Sequence, residues 1–351
     1  HAIRDSCAMF DVSPMRKVRI RGAAAGRFLD HLLTRPVSTA DSLLGIYVAY
    51  CNVDGSLKDD SILYKFAYDD YLLMPSDMDH SPYFEQLRQQ LNIAADELSI
   101  TDITSDLCGL AGQGPLSATV LQHMGFADIE QLQPFEVRSY PFANATMVVA
   151  RMGFTADLGY ECWLEHSLQS DFEAAIEDAR GSMGIAIPGY GLSALEVCRL
   201  EAGFVVAGWD FSTEADFVAG FDRTPYEAGL GWLVKLDGGD FVGRDALLKY
   251  KAEGHRYTLR TFSIDDTRGL EDGAELHANV DGEDLLVGTV NCSAWSWGLE
   301  KTIGNASMLS AHANLSEVWL ETDGDRLKVS LSKGAHLNLA RRNECPALIE
   351  S

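Results

Sequence analysis

The feature that most constrains this chain is a change of texture near Phe241. After that point, Gly-Asp, Asp-Gly and Asn turn signals separate short strand-like runs at 258–264, 285–290, 318–320 and 327–331. Such punctuation predicts a β-rich unit over 241–351, closed as a small barrel so that few strand edges are left open. Before it, over 1–240, helical and strand spacings mix without strict βαβα alternation, which predicts an α+β body. With 351 residues the chain exceeds what one core organises.

Local patterns fill in the body. Residues 16–21 alternate apolar and charged, as in a half-exposed strand. Residues 22–34 switch to helical spacing, with Phe28, Leu29, Leu32 and Leu33 on one side. A strand over 62–68, a turn at Asp69-Asp70 and a strand over 71–74 make a hairpin. Helices are predicted over 83–98, 116–124 and 192–202, and strands over 146–151 and 160–164. Ser170-Asp171-Phe172-Glu173 has the form of a capping box opening a helix to about Arg180.

Charge and composition exclude several functions. The 52 acidic residues outnumber the 28 basic ones and leave a net charge of -24. A surface of that sign repels nucleic acid and anionic membrane. No apolar run approaches the ~20 residues of a membrane span, and no signal peptide pattern is visible. The seven cysteines are widely spaced without a Cys-x-x-Cys pair. Their expected state is reduced and mostly buried, in a cytoplasmic protein.

Few residues carry chemistry on their own. The nine histidines form no His-x-His or His-Glu-x-x-His pattern, so no metal site is expected. The run Gly109 to Gly114 lacks the Gly-Lys-Ser/Thr ending of a phosphate loop and is expected to be a tight turn before the helix at Leu116. Asp59-Asp60 precedes an apolar strand. A carboxylate shielded there would serve as acid, base or anchor, although a solvated turn is the commoner outcome. Glu161, within the strand at 160–164, and Arg199 and Glu201, within an apolar helix, are either at the surface or buried with partners.

Taken together, these segments resemble the T-protein family of the glycine cleavage system. That family contains tetrahydrofolate-dependent aminomethyltransferases and related demethylases. Residues 1–13 resemble its H-A-V-R…M-F-D-V-S segment, and 51–60 its L-N-x-x-G-G-x-x-D-D stretch. Residues 111–115 resemble V-Q-G-P, and 152–161 resemble G-Y-T-G-E-x-G-Y-E. Residues 191–203 resemble G-L-x-A-R-D-x-L-R-L-E-A-G, and 241–247 resemble F-I-G-R-E-A-L. The likeness implies a ring of three domains around a folate channel, with a few dozen residues preceding His1.

It also implies roles. Asp59 would be the catalytic carboxylate beside the reacting folate nitrogen, although which of Asp59 and Asp60 points into the channel stays open. Glu161 would accept hydrogen bonds from the pterin, Arg199 would contact the folate, and Tyr47 would line the site. Phe154 stands where the family has tyrosine, keeping an aromatic wall without the hydroxyl. Departures at Ser56, at Ala156-Asp157 and over 193–197, with the 47–52 stretch, lean toward a demethylase. It would move a methyl or methylene group from a small methylated metabolite to folate N5, and Trp209, Trp232, Trp295 and Trp297 are candidates for its donor pocket. The alternative is a T-protein acting on a lipoyl carrier protein. Two other readings are a non-catalytic folate-binding assembly factor and one module of a flavin-containing dehydrogenase. Against the assembly factor stand the absence of the K-G-C-x-x-G-Q-E motif and the presence of Asp59; against the dehydrogenase, the lack of a flavin fingerprint.

Overall fold

A computed structural model describes the chain except residues 77, 215–217, 219, 323 and 349–351. The chain opens with α1 (Ala2–Asp5), β1 (Ala8–Asp11), β2 (Val18–Arg21), α2 (Ala25–Leu32), β3 (Leu44–Cys51), β4 (Leu57–Ala67) and β5 (Asp70–Met74). It continues through α3 (Ser81–Gln90), β6 (Ser99–Asp102), β7 (Leu107–Gln113), α4 (Ser117–His123), β8 (Val137–Phe142), β9 (Ala145–Ala150) and β10 (Gly159–Glu165). Helices α5 (Gln169–Met183), α6 (Leu192–Glu201) and α7 (Arg244–Glu253) follow. Strands β11 (Tyr257–Ile264), β12 (Glu275–Val280), β13 (Glu283–Ser296), β14 (Lys301–Leu309), β15 (Glu317–Thr322) and β16 (Asp325–Ser332) complete it.

The strands form three bodies. One five-stranded sheet runs β3-β4-β5-β2-β6, a second runs β1-β7-β10-β9-β8, and β11-β14-β13-β12-β15-β16 close into the expected barrel. The fold is α+β, as its spacing predicts. Phe28, Leu29 and Leu32 of α2 pack on Val18, Ile20, Val48, Leu63 and Leu73 of the first sheet. In the second sheet, Tyr160, Cys162 and Leu164 pack toward α4 and α5 with Ala118, Leu121 and Phe172. Phe262, Ile264, Val290, Ala306, Met308 and Val329 fill the barrel.

Apolar contacts join the bodies in a ring. Tyr64 of β4 meets Ala111, Val137 and Trp163 between the two sheets. Ala49, Cys51 and Leu57 of the first sheet share a core with Val205, Phe211, Leu230, Phe241 and Leu247, against which Leu259 of β11 packs. Leu200 of α6 meets Cys292 and Ile303 of the barrel. Phe241 and Leu247 therefore pack with the first sheet, and the barrel strands begin at Tyr257.

Some local expectations change. Residues 109–113 are strand, and only Gly114 (φ +125°) turns toward α4. Gly109 is needed for packing, because a Cβ there would stand 2.4 Å from the Trp163 ring. Helix α5 starts at Gln169 after a 3-10 turn, without a side-chain cap, so Ser170 does not form the expected box. The helix expected to reach residue 98 ends at Gln90, where the left-handed Asn92 turns the chain. All seven cysteines are free thiols, six of them buried and Cys345 exposed. Among the described residues, no helix is long and apolar enough to cross a membrane.

Candidate active site

Strand alternation sets the site. Register slips between Tyr50 and Cys51, so Asp59 faces Tyr50 and Asp60 faces Ala49. From Asp59 to Lys65, between this slip and a second one at Lys65/Ala67, the side chains of β4 alternate. Leu63 joins the core under α2 and α3, while Tyr64 points toward the second sheet. Asp59 shares the Leu63 side; Asp60 shares the side of Ile62 and Tyr64. On β10 the same rule turns Trp163, and with it Glu161, toward the first sheet.

The two aspartates thus have different surroundings. Asp59 is wholly buried, at 0% exposure. Its Oδ2 accepts from the Ser76 amide (3.0 Å), the Ser76 hydroxyl (2.7 Å), His80 Nε2 (2.8 Å) and the Tyr50 hydroxyl (3.3 Å). Its Oδ1 accepts from the Asp60 amide at 2.9 Å. Asp60 is half-buried and its Oδ2 accepts from the Tyr47 hydroxyl at 2.5 Å. Burial, then the neighbouring Asp59 charge, raises the Asp60 pKa to about 7, against the opposing effect of Tyr47. Burial also raises the Tyr47 hydroxyl well above its ordinary value, so it stays a donor. Trp232, 56% exposed, packs against Tyr47 with ring centres 5.9 Å apart.

Across the gap, the Trp163 indole N–H donates to Tyr64 Oη (3.3 Å), and the Tyr64 hydroxyl donates to Glu161 Oε2 (2.9 Å). Burial raises the Glu161 pKa to about 7 although both neighbours lower it. Glu161 has no cationic partner among the described residues. Beside it, Gln113 accepts from Thr155 Oγ1 (2.7 Å) and donates to the Met152 carbonyl (3.2 Å), fixing the loop that carries Phe154. Phe154 is 38% exposed and stacks on Phe204 at 5.2 Å. The Arg342 guanidinium lies 5.0 Å over Phe204 and has no carboxylate partner among the described residues.

Arg199 does not join this group. It is 1% exposed, and its nitrogens are committed to Glu196 (2.6 Å), Asp210 (2.8 Å), the Phe204 carbonyl (3.0 Å) and Cys292 Sγ (3.1 Å). Asp210 in turn accepts from Asn291 and Asn305 of the barrel. The guanidinium ties α6 to the barrel, and each of its N–H groups has a partner inside the protein. Of the four tryptophans considered, only Trp232 touches the Tyr47–Asp60 pair. Trp209 covers Arg199, and Trp295 and Trp297 pack edge to face at 6.2 Å. A polar cavity of about 340 Å³ opens beside the start of β4, where Lys58 pairs with Glu214.

Comparison with known proteins now bears on these residues. Residues 1–238 match the family described as GCVT N-terminal domain. The chain belongs to this family. An aminomethyltransferase of Thermoanaerobacter pseudethanolicus is 29% identical over 315 residues, covering 90% of this chain and 81% of the relative. An aminomethyltransferase of Clostridium botulinum strain 657 is 31% identical over 310 residues, covering 87% and 79%. The crystal structure of glycine cleavage system aminomethyltransferase T from Bartonella henselae superposes with a TM-score of 0.80. It covers 97% of this chain and 88% of that one at 22% identity, a likeness of fold. The GCVT match spans both sheets and therefore Tyr47, Asp59, Asp60, Phe154, Glu161 and Arg199. Arg342 lies beyond it.

Sequence reasoning missed Tyr64, Trp163, Ser76, His80 and Arg342. Tyr64 had a signal, because it sits four residues from Asp60 on one strand face. Ser76 and His80 reach Asp59 from the loop before α3 and the cap of α3, which no local spacing encodes.

Proposed function

We propose that this chain is a tetrahydrofolate-dependent aminomethyltransferase of the glycine cleavage type. The observation that carries the reading is the pair of half-buried carboxyls, Asp60 and Glu161, on facing sheets. Among the described residues neither has a cationic partner, and burial raises the pKa of each to about 7. Its alternative, a demethylase working on a free methylated metabolite, draws less support, because the named relatives are aminomethyltransferases. A lipoyl carrier protein is then the partner that presents the donor. A reducing, cytoplasmic setting goes with the free thiols.

Two features of the chain fit a reduced pterin with an anionic tail. Glu161 retains acceptor capacity beyond its single bond to Tyr64, which suits N–H donors. Phe154 and Phe204 expose a stacked aromatic surface with Arg342 at its edge. Tetrahydrofolate, when bound, supplies the nitrogen that takes up the one-carbon unit. Glu161 orients the ring system, held in turn by Tyr64 and Trp163. Asp60, with its carboxyl near neutrality, holds or releases a proton at Oδ1 or Oδ2 without a large cost in either direction. Tyr47 fixes the rotamer of Asp60, and the Trp232 ring limits water at that end. Asp59, the catalytic residue expected by resemblance, is reassigned here to support, because its oxygens are taken up inside the fold.

Anaerobic calorimetric titration with tetrahydrofolate tests the reading. Micromolar saturable binding, weakened by about 1.5–3 kcal/mol in Glu161→Ala, is expected. Transfer should then require a lipoylated carrier protein. Turnover of a small methylated donor without the carrier would move the assignment to the demethylases. No binding by the folded protein would leave the assembly-factor reading.

A further inference from the structure

The rear of the Asp59-Asp60 strand holds a group for which the proposed chemistry has no direct use. His80 is 3% exposed, at the start of α3, with its ring edge-on to Tyr50 (5.2 Å) and beside Phe84 (5.8 Å). We propose that His80 is a positioning residue for Asp60: by donating to Asp59 from behind the strand, it holds the Asp59 carboxylate against Asp60 and so fixes how tightly Asp60 holds its proton.

Asp59 stands in an apolar core among Tyr50, Phe84 and Leu63, where an unpaired carboxylate is costly. Four donor groups converge on Oδ2, and His80 offers a ring N–H at 2.8 Å. The nearest cation in sequence, Lys58, is turned away to Glu214 and the face of Tyr83. With the other donors hydroxyls and one amide, His80 is the ionisable donor of the set. Negative charge at Asp59 raises the proton affinity of Asp60, which is next to it in the chain and bonded to it through an amide. Loss of that neighbouring charge, or its displacement from Asp60, would let Asp60 lose its proton at lower pH.

The other groups facing the pair stay the same when His80 is changed. Tyr47 on β3 favours the Asp60 anion, and Asp210 from the segment after α6 disfavours it. Tyr50 and Tyr83, from β3 and α3, have their hydroxyl pKa values raised and are neutral at working pH. A shift in Asp60 on changing His80 therefore reports on Asp59.

The inference rests on the proposed role of Asp60 for its kinetic readout, but its main test does not. Full-length protein carrying carboxyl-13C aspartate is titrated by NMR, with Asp60→Asn assigning the signal. In His80→Leu the Asp60 midpoint should fall by roughly one pH unit or more. In His80→Gln, which keeps an N–H near the position of Nε2, it should remain near the parent value. The matching limb of the pH–rate profile should move in the same direction. An unchanged midpoint in folded His80→Leu, or an equal fall in His80→Gln, overturns the inference. Where His80→Leu fails to fold, Asp59→Asn replaces it: the same fall is expected, and no fall overturns the inference. A parent that binds no folate would end the functional reading while leaving the titration to judge this one.

Discussion

Two buried clusters of charge invite comparison. At the junction of α6 with the barrel, Arg199 meets Asp210 and Glu196, and nearby Arg4 meets Glu201 (2.5 Å) and Asp157 (3.0 Å). Arg341 adds a second cation to Asp157 at 2.7 Å, and Ser296 of the barrel donates to Glu201 at 2.6 Å. Every carboxylate there has a guanidinium. Between the two sheets, Asp60 and Glu161 have neutral side-chain neighbours and no cation among the described residues, and burial raises their proton affinities. The difference teaches where to look for chemistry. A fully paired cluster locks elements together, because its members have nothing left to offer a ligand. An unpaired carboxyl is retained at a cost in stability and keeps its capacity for substrate.

The largest expected effect tests the paired side. Arg199→Leu leaves Asp210 and Glu196 buried without their cation. It should destabilise the protein by about 3–5 kcal/mol in urea unfolding. A folate contact at Arg199 would instead cost affinity and leave unfolding unchanged, and that result would break the comparison. Next comes Asp60→Asn, which should lower transfer about 10²–10⁴-fold without lowering the melting temperature. Asp59→Asn should reverse the emphasis, costing stability because five hydrogen bonds converge on that carboxylate. Equal kinetic losses with equal stability in both variants would erase the distinction between the two faces of β4.

How much of this was legible in the sequence follows from the range of each interaction. Barrel strands, turn glycines and the α2 face depend on neighbours within a few residues, and spacing alone revealed them. Asp59 and Asp60 could be singled out as a pair, yet their order could not. The slip opposite Tyr50 and Cys51 sets which one shares the side of Tyr64, and a bulge depends on the partner strand. Arg199 fits its buried-with-a-partner alternative, but Asp210, Asn291 and Asn305 come from distant segments. Tyr64 was within reach of strand alternation once Asp60 was chosen. Arg342 was not, since only the return of the C-terminal segment brings it to Phe204.

Glu161 gives a prediction of intermediate size, with opposite signs for function and stability. Unfolded, its carboxyl releases its proton near pH 4.5; folded, it keeps it to about pH 7. The native state therefore binds more protons across that window, and stability falls as pH rises through it. Glu161→Gln removes this slope. The variant should gain on the order of 3 kcal/mol relative to the parent at pH 8, while binding tetrahydrofolate more weakly. Parallel melting curves from pH 5 to 8 for parent and variant would show that Glu161 is paired after all.

The smallest expected effect belongs to Arg342, and it sharpens the comparison because Arg342 has no carboxylate partner among the described residues. Its neighbour Arg341 bonds to Asp157 through both Nε (2.7 Å) and Nη2 (2.8 Å) and belongs to the paired cluster. Burial lowers the Arg342 pKa, but the guanidinium stays charged at any working pH. Its stacking on Phe204 contributes about 0.5–1 kcal/mol, so Arg342→Ala should shift the melting temperature little. A guanidinium beside a partly exposed aromatic pair suits an anionic ligand tail. Arg342→Ala should weaken tetrahydrofolate binding several-fold, and added salt should narrow the gap between parent and variant. Arg341→Ala should do the reverse, lowering stability more than affinity, because it leaves Asp157 with Arg4 alone. If both substitutions gave the same small loss of stability and neither touched affinity, the segment would be a strap, and the unpaired cation would carry no meaning for the site.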